Sequence, residues 1–292
     1  MRKTLPLLLV VSAILFSCTN GTKTKLKPSV VVSIAPQKYL VNRIADTIFH
    51  VEVMVPAGSS PEVYEPTASQ LKLLANTSTY FSLGLLEFEM SMLNNIHEQN
   101  PNILIVDHSK DLNLISGQCD SHHDHGHAHN HGLDPHVWLS PAEVKTMVST
   151  IASVLSQKFP EHKTTFEANA ARLIEDIDTL DINIKKKLQG IDNNKIFIYH
   201  PALAYFARDY GLKQVSLEQD GKAPSMKHMQ TILQSAREQG AKTIFIQKEF
   251  DVNNAKTAAS DIGGDIEVID PLREDWLENM YHISNLISKA LK

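Results

Sequence analysis

The sequence predicts an α/β fold of two similar lobes, each with a mainly parallel sheet of about four strands and flanking helices, joined by one long helix. Three observations predict it. Short β-branched runs alternate with helical periods from Ser29 onward, the pattern lapses mid-chain, and it restarts after residue 190. The apolar runs are four to six residues long, as strands buried on both faces of a parallel sheet require.

In the first lobe, SVVVSIAP (29–36) reads as a strand and Gln37 to Ala45 as a helix. VEVMVP (51–56) is a strand, Ala68 to Ala75 a helix and TYFSLG (79–84) a strand. Glu87 to Gln99 follows as a helix and NILIVD (102–107) as a strand. In the second lobe, KIFIYH (195–200) precedes a helix from Pro201 to Tyr210, then the strand KQVSLE (213–218). Ser225 is the expected N-cap of a helix to Gln239. TIFIQ (243–247), a helix over Val252 to Asp261, the strand DIEVID (265–270) and a closing helix over Glu274 to Ala290 complete it. Between the lobes, Phe166, Ala170, Leu173, Ile177, Leu180, Ile184 and Leu188 recur by threes and fours, with no Gly or Pro until Gly190. Such a helix, some thirty residues and roughly 45 Å long, predicts a strut along both lobes. A coiled-coil segment for dimerisation is the alternative.

The expected organisation is a leader at 1–18, a polar tether at 19–28, a first lobe at 29–160, the connecting helix at 161–190 and a second lobe at 191–292. Arg2 and Lys3 precede a mostly apolar run of twelve, Leu5 to Phe16, too short to span a bilayer. Leu15-Phe16-Ser17-Cys18 resembles a lipoprotein cleavage site, which makes Cys18 the lipidation candidate and places the mature chain outside the cytoplasm, anchored to a membrane. An ordinary signal peptide with an incidental Cys is the alternative. The formal charge of −5 becomes −7 without Arg2 and Lys3, which argues against nucleic acid as a partner. Cys18 and Cys119 are the two cysteines, so a lipidated Cys18 leaves no intramolecular disulfide.

Ligands of open parallel sheets bind beyond the carboxyl ends of strands. The polar candidates there are Glu62 and Glu65 in PEVYEP, His136 in LDPHVWLSP, His200 ending KIFIYH and Asp270 ending DIEVID. Glu62, His136, His200 and Asp270 each touch a proline, which stiffens a loop-to-helix junction. Two neutral imidazoles and two carboxylates balance a divalent cation and lower the cost of burying it. Their donors suit tetrahedral Zn2+, with Mn2+ or Fe2+ as alternatives.

In VPAGSSPEVYEPTASQ, DPHVWLSP, YHPALAYFARDYGL and VIDPL the chain resembles the metal-binding lipoproteins that feed ABC importers, the zinc and manganese receptors called cluster A-I. The likeness covers nearly all of the mature chain. It implies two lobes joined by a long helix, one metal in the cleft, and ligand roles for His136, His200 and Asp270. It also implies an ABC permease and its ATPase as partners, and a monomer. The family usually has His where this chain has Glu62, so a hard oxygen enters the set. Gln247 stands where members often carry an acidic residue and receives no role.

His122, His123, His125, His127, His129 and His131 fall within ten residues of a loop expected at 119–132. Zinc-type members of the resembled family carry a His-rich acidic loop at this place. Alternating His with Gly or Ala supplies borderline-soft donors without fixed geometry, so an auxiliary metal trap is expected, with Cys119 a possible contributor. A passive loop is the alternative. DSHHDH (120–125) falls one residue short of a zinc-hydrolase motif and lacks rigid flanks and a general base, so no enzyme is expected. A metal-storing or adhesive surface lipoprotein is the remaining rival.

Overall fold

The computed structural model describes residues 27–116, 132–218 and 226–292. The expectations for Cys18, Cys119, the six tract histidines and the Ser225 cap lie outside the described residues.

The first sheet takes β1 (Ser29–Val32), β2 (His50–Val53), β3 (Thr79–Ser82) and β4 (Leu104–Asp107) in the order β2-β1-β3-β4. The second repeats that order as β6-β5-β7-β8, with β5 (Lys195–Ile198), β6 (Lys213–Ser216), β7 (Thr243–Gln247) and β8 (Asp265–Ile269). Neighbouring strands in both sheets pair in parallel. Residues 30–32 of β1 and 196–198 of β5 are fully or nearly fully buried, as central parallel strands must be.

β1 stops four residues before the sequence reading expects, because the Gln37 side-chain oxygen accepts from the amides of Ser33 (3.0 Å) and Ile34 (3.2 Å). That bonding turns the chain into α1 (Ala35–Ala45). The helix expected from Pro201 begins later, as α6 (Ala204–Asp209), because the Ala202 amide bonds back to the His200 carbonyl at 2.8 Å. α2 (Ala68–Ala75) is capped by Thr67, whose hydroxyl accepts from the Gln70 amide. α3 (Glu87–Gln99), α7 (Met226–Glu238) and α8 (Val252–Asp261) fill the remaining crossovers.

The lobes are joined by α4 (Pro141–Lys158) and α5 (Lys163–Leu188). α5 has 26 residues, about 39 Å by the rise of an α-helix, because the Pro160–His162 segment forms a separate 3-10 turn. All seven apolar positions of its stripe are buried. It packs against α1 and α4 and also against α9 (Trp276–Leu291), so one helix braces both lobes. The main core runs continuously from β1 and β3 through α4 and α5 to Trp276 and Ile283.

In each sheet the order reverses between its first and third strands, the place where open sheets bind ligands. In the first lobe that place is filled by a buried polar knot. Glu89 accepts from the amides of Leu83 (2.9 Å), Leu85 and Leu86 (both 3.2 Å), from Tyr80 (3.0 Å) and from Ser33. In the second lobe it holds His200 and Gln247, and the candidate site begins there.

Candidate metal centre

His200 lies two residues beyond β5, with its ring buried. Gln247, the last residue of the adjacent β7, grips its backbone. The Gln247 amide nitrogen donates to the His200 carbonyl at 2.6 Å, and its oxygen accepts from the His200 amide at 3.4 Å. Phe250 stacks on the ring at 5.0 Å. Glu218, just past β6, bonds Nδ1, which directs Nε2 into the cleft.

His136 opens a 3-10 turn over Val137–Leu139 and is likewise buried. The Asp134 carboxylate accepts from its amide (2.8 Å) and bonds its Nδ1 (2.9 Å). Its ring lies 5.3 Å from that of His200 and 5.2 Å from Trp138. Both imidazoles therefore repeat one plan, with Nδ1 on a carboxylate and Nε2 offered to the cleft.

Glu62 sits in a 3-10 turn, Pro61–Val63, in the connection from β2 to α2. That connection is anchored by Tyr64, which donates to Gln70 at 2.7 Å, and by Gln70, which donates to the Met54 carbonyl. The Glu62 carboxylate reaches His200 Nε2 at 2.9 Å and His136 Nε2 at 3.6 Å. Donor atoms of Glu62, His136 and His200 lie within 4.8 Å of one another. Ligands of a tetrahedral zinc stand about 3.3 Å apart, given bonds near 2.0 Å. The 3.6 Å pair already has that spread, and the 2.9 Å pair must open by a few tenths of an ångström.

Two neighbours behave differently from the sequence reading. Asp270 stays outside the cluster. Its carboxylate accepts from the Leu272 amide (3.2 Å) and faces Lys248 at 3.3 Å, the arrangement of an ordinary turn-capping aspartate. Glu65 is exposed along a groove with Val63 and Phe88 and adds no donor. Asp134, Glu218 and Gln247 hold the two histidines in place, and none of them receives a role in the sequence reading. Asp134, two residues before His136, has the spacing of an Asx turn. Gln247 ends a strand beside the His200 strand.

Electrostatics follow from the packing. Burial pulls His200 toward neutrality, but hydrogen bonds to Glu218 and Glu62 outweigh it and raise its pKa to about 9. Burial pushes the Glu62 carboxyl up, yet the His200 hydrogen bond and the two imidazoles leave it lowered. With its pKa raised, His200 keeps its proton near neutral pH and its Nε2 donates to the Glu62 carboxylate at 2.9 Å, so two candidate donors are tied to each other. Glu249 lines the same cleft beside Pro271, and burial raises its carboxyl, with Asp270 adding to the effect.

Fold and site together define a two-lobed α/β binding protein with a cation-suited donor cluster between its halves. A family model described as ZnuA, zinc-uptake complex component A, periplasmic, matches residues 30–290, and the chain belongs to that family. It is similar to the zinc-binding lipoprotein AdcA of Streptococcus pneumoniae (strain ATCC BAA-255 / R6), at 28% identity over 291 residues. That match takes in 95% of this chain and 58% of AdcA, so the chain spans less than two thirds of that relative. A crystal structure of ZnuA superposes with a TM-score of 0.83 at 30% identity, covering 91% of this chain and all of the other. A deletion mutant of ZnuA with zinc bound gives the same score and identity, covering 98% of its own chain.

Proposed function

We propose that this protein is an extracytoplasmic receptor that captures a divalent transition metal, Zn2+ foremost, in the cleft between its lobes and delivers it to an ABC permease. The observation that carries the reading is the convergence of Glu62, His136 and His200, drawn from both halves of the chain, within 4.8 Å. Family membership and the zinc-bound relative support the choice of metal. So do two imidazoles each backed by a carboxylate, a pairing that strengthens nitrogen donors. Glu62 supplies a hard oxygen that also suits Mn2+ or Fe2+.

The ion enters as the His200 proton leaves, and Glu62 and His200 part to bond it. Asp270 is the proposed fourth ligand, recruited from its contact with Lys248 when the cleft tightens. The tract histidines, His122 to His131, act as an auxiliary trap, and Cys18 carries the lipid anchor. The permease would work with an ATPase, and the receptor acts as a monomer that catalyses no reaction.

Zinc titration against a competing chelator tests this in the full mature chain and in Glu62→Ala, His136→Ala and His200→Ala. One tight site is expected in the parent and its loss, by at least roughly 100-fold, in each histidine variant, as follows from removing a zinc ligand. Weaker binding by the tract persists in all of them. A tight site unchanged by both histidine substitutions refutes the reading.

A further inference from the structure

The two lobes reach the cluster through separate segments, yet one side chain on the connection that carries His200 bonds the residue that supports His136. Tyr205 lies on α6, five residues beyond His200 on the same connection. It is fully buried, and its hydroxyl makes two bonds into the other lobe. It donates to the Asp134 carbonyl at 2.8 Å and accepts from the Ile115 amide at 3.0 Å. Asp134 is the residue whose carboxylate orients His136.

Ile115 and Asp134 form a neck. The Asp134 amide donates to the Ile115 carbonyl at 2.9 Å, and Ser116 bridges Leu133 in antiparallel fashion. Arg208, one turn along α6, reinforces it. Its guanidinium lies 5.1 Å from the Tyr205 ring centre and donates to the Asn113 carbonyl (2.6 Å) and to Glu143 (2.7 Å). Glu143 in turn accepts from the Asn113 amide at 3.0 Å. The neck is thus bonded to the helix that follows His200.

We infer that Tyr205 is a positioning residue for the metal centre: through the Asp134 carbonyl it holds His136 in register with His200. The inference rests on the proposed receptor function. A phenol that bonded Ile115 alone would stabilise the fold. This one bonds the residue that sets the tautomer and aim of a ligand, so its loss must be felt at the metal.

The test compares Tyr205→Phe with Tyr210→Phe in the full mature chain. Tyr210, at the end of the same helix, donates to Asp181 on α5 at 3.0 Å and serves as a structural control. Zinc affinity is measured by chelator competition. The visible spectrum of bound Co2+, which reports ligand geometry, is recorded as a difference against His136→Ala. Y205F is expected to weaken the cleft site roughly 10-fold, the usual cost of losing an outer partner of a metal ligand, and to shift the Co2+ band. Y210F should do neither. Combining Y205F with Asp134→Asn should add little beyond D134N alone, because both act on His136 by one route.

An unchanged affinity and Co2+ band in Y205F overturn the inference, as does a Y205F chain that fails to fold while Y210F folds, since the phenol is then a fold element only. If the parent shows no band that depends on His136, the receptor reading itself has failed, an outcome separate from either of these.

Discussion

Two histidines of this chain are shifted in opposite directions, and the difference makes the residue scale testable. His108 is wholly buried and stacked on Phe81 at 5.8 Å, and burial lowers its pKa to about 4 despite the nearby Asp107 carboxylate. The unfolded chain binds its proton near 6.5, so stability from this group is full above that pH and is lost as pH falls toward 4. A shift of this size corresponds to about 3 kcal/mol. His108→Leu should flatten the acid arm of the stability curve, read by urea melts between pH 4 and 7; an acid arm equal to the parent's contradicts it. His200 has the reverse sign. Its folded pKa of about 9 lies above the unfolded value, so the metal-free protein holds this contribution below pH 6.5 and loses it as pH rises through 9. Zinc must expel that proton. Affinity should therefore rise with pH across the window, with proton release seen by calorimetry in buffers of different ionisation enthalpy. Release of no proton at pH 7.5 would sink the assignment. Glu218→Gln should weaken zinc roughly 10-fold or more, because the carboxylate that orients the His200 ring is lost, and this outweighs the easier release of the His200 proton.

At the scale of elements, much of the fold is legible in the sequence because burial leaves a period. The seven positions of α5 spaced by threes and fours are the seven that are buried, and a double-faced apolar run marks each central strand. Element ends are less legible. β1 ends where Gln37 reaches back to two amides, and α6 starts late because Ala202 bonds its own turn, both choices made by a side chain or carbonyl a few residues away. The site divides in the same way. Glu62, His136 and His200 stand out as donors at stiff junctions, and the structure gathers them. Glu218 and Gln247 do not stand out, because their role exists only once β6 and β7 flank β5, whereas Asp134 acts locally, two residues before His136. Asp270 has the same local signature as His200, yet its carboxylate is satisfied by its own turn and by Lys248. Gly84 shows how tight one such junction is. It has φ +75°, and a Cβ there would lie 1.9 Å from the Asp107 carboxylate. Gly84→Ala should cost about 2 kcal/mol or more through left-handed strain and the clash, measured by urea denaturation. A loss below 0.5 kcal/mol would mean that Asp107 swings clear without cost.

At the scale of the molecule, the question is whether the lobes unfold as one body. Two tryptophans argue that they do. Trp138 donates to the Pro271 carbonyl at 2.9 Å, and Trp276 donates to the Trp138 carbonyl at 2.6 Å, so each indole closes on the turn that carries the other lobe's polar groups. Both rings are almost wholly buried in the continuous core. The Lys38–Glu274 ion pair also crosses between the lobes, at 3.0 Å, but it is exposed. Exposed pairs contribute about 0–1 kcal/mol, whereas shrinking a buried ring and orphaning a buried carbonyl should cost about 2–4 kcal/mol. Trp276→Phe should therefore lower the apo melting temperature far more than Lys38→Ala, with one calorimetric transition in both. Because the donors come from both lobes, zinc at a hundredfold over Kd should raise that single transition by about 2.7 kcal/mol, and His136→Ala should abolish the gain. Two separable transitions in the apo protein, with zinc moving only one of them, would show that the lobes are independent bodies and that the cluster belongs to one alone.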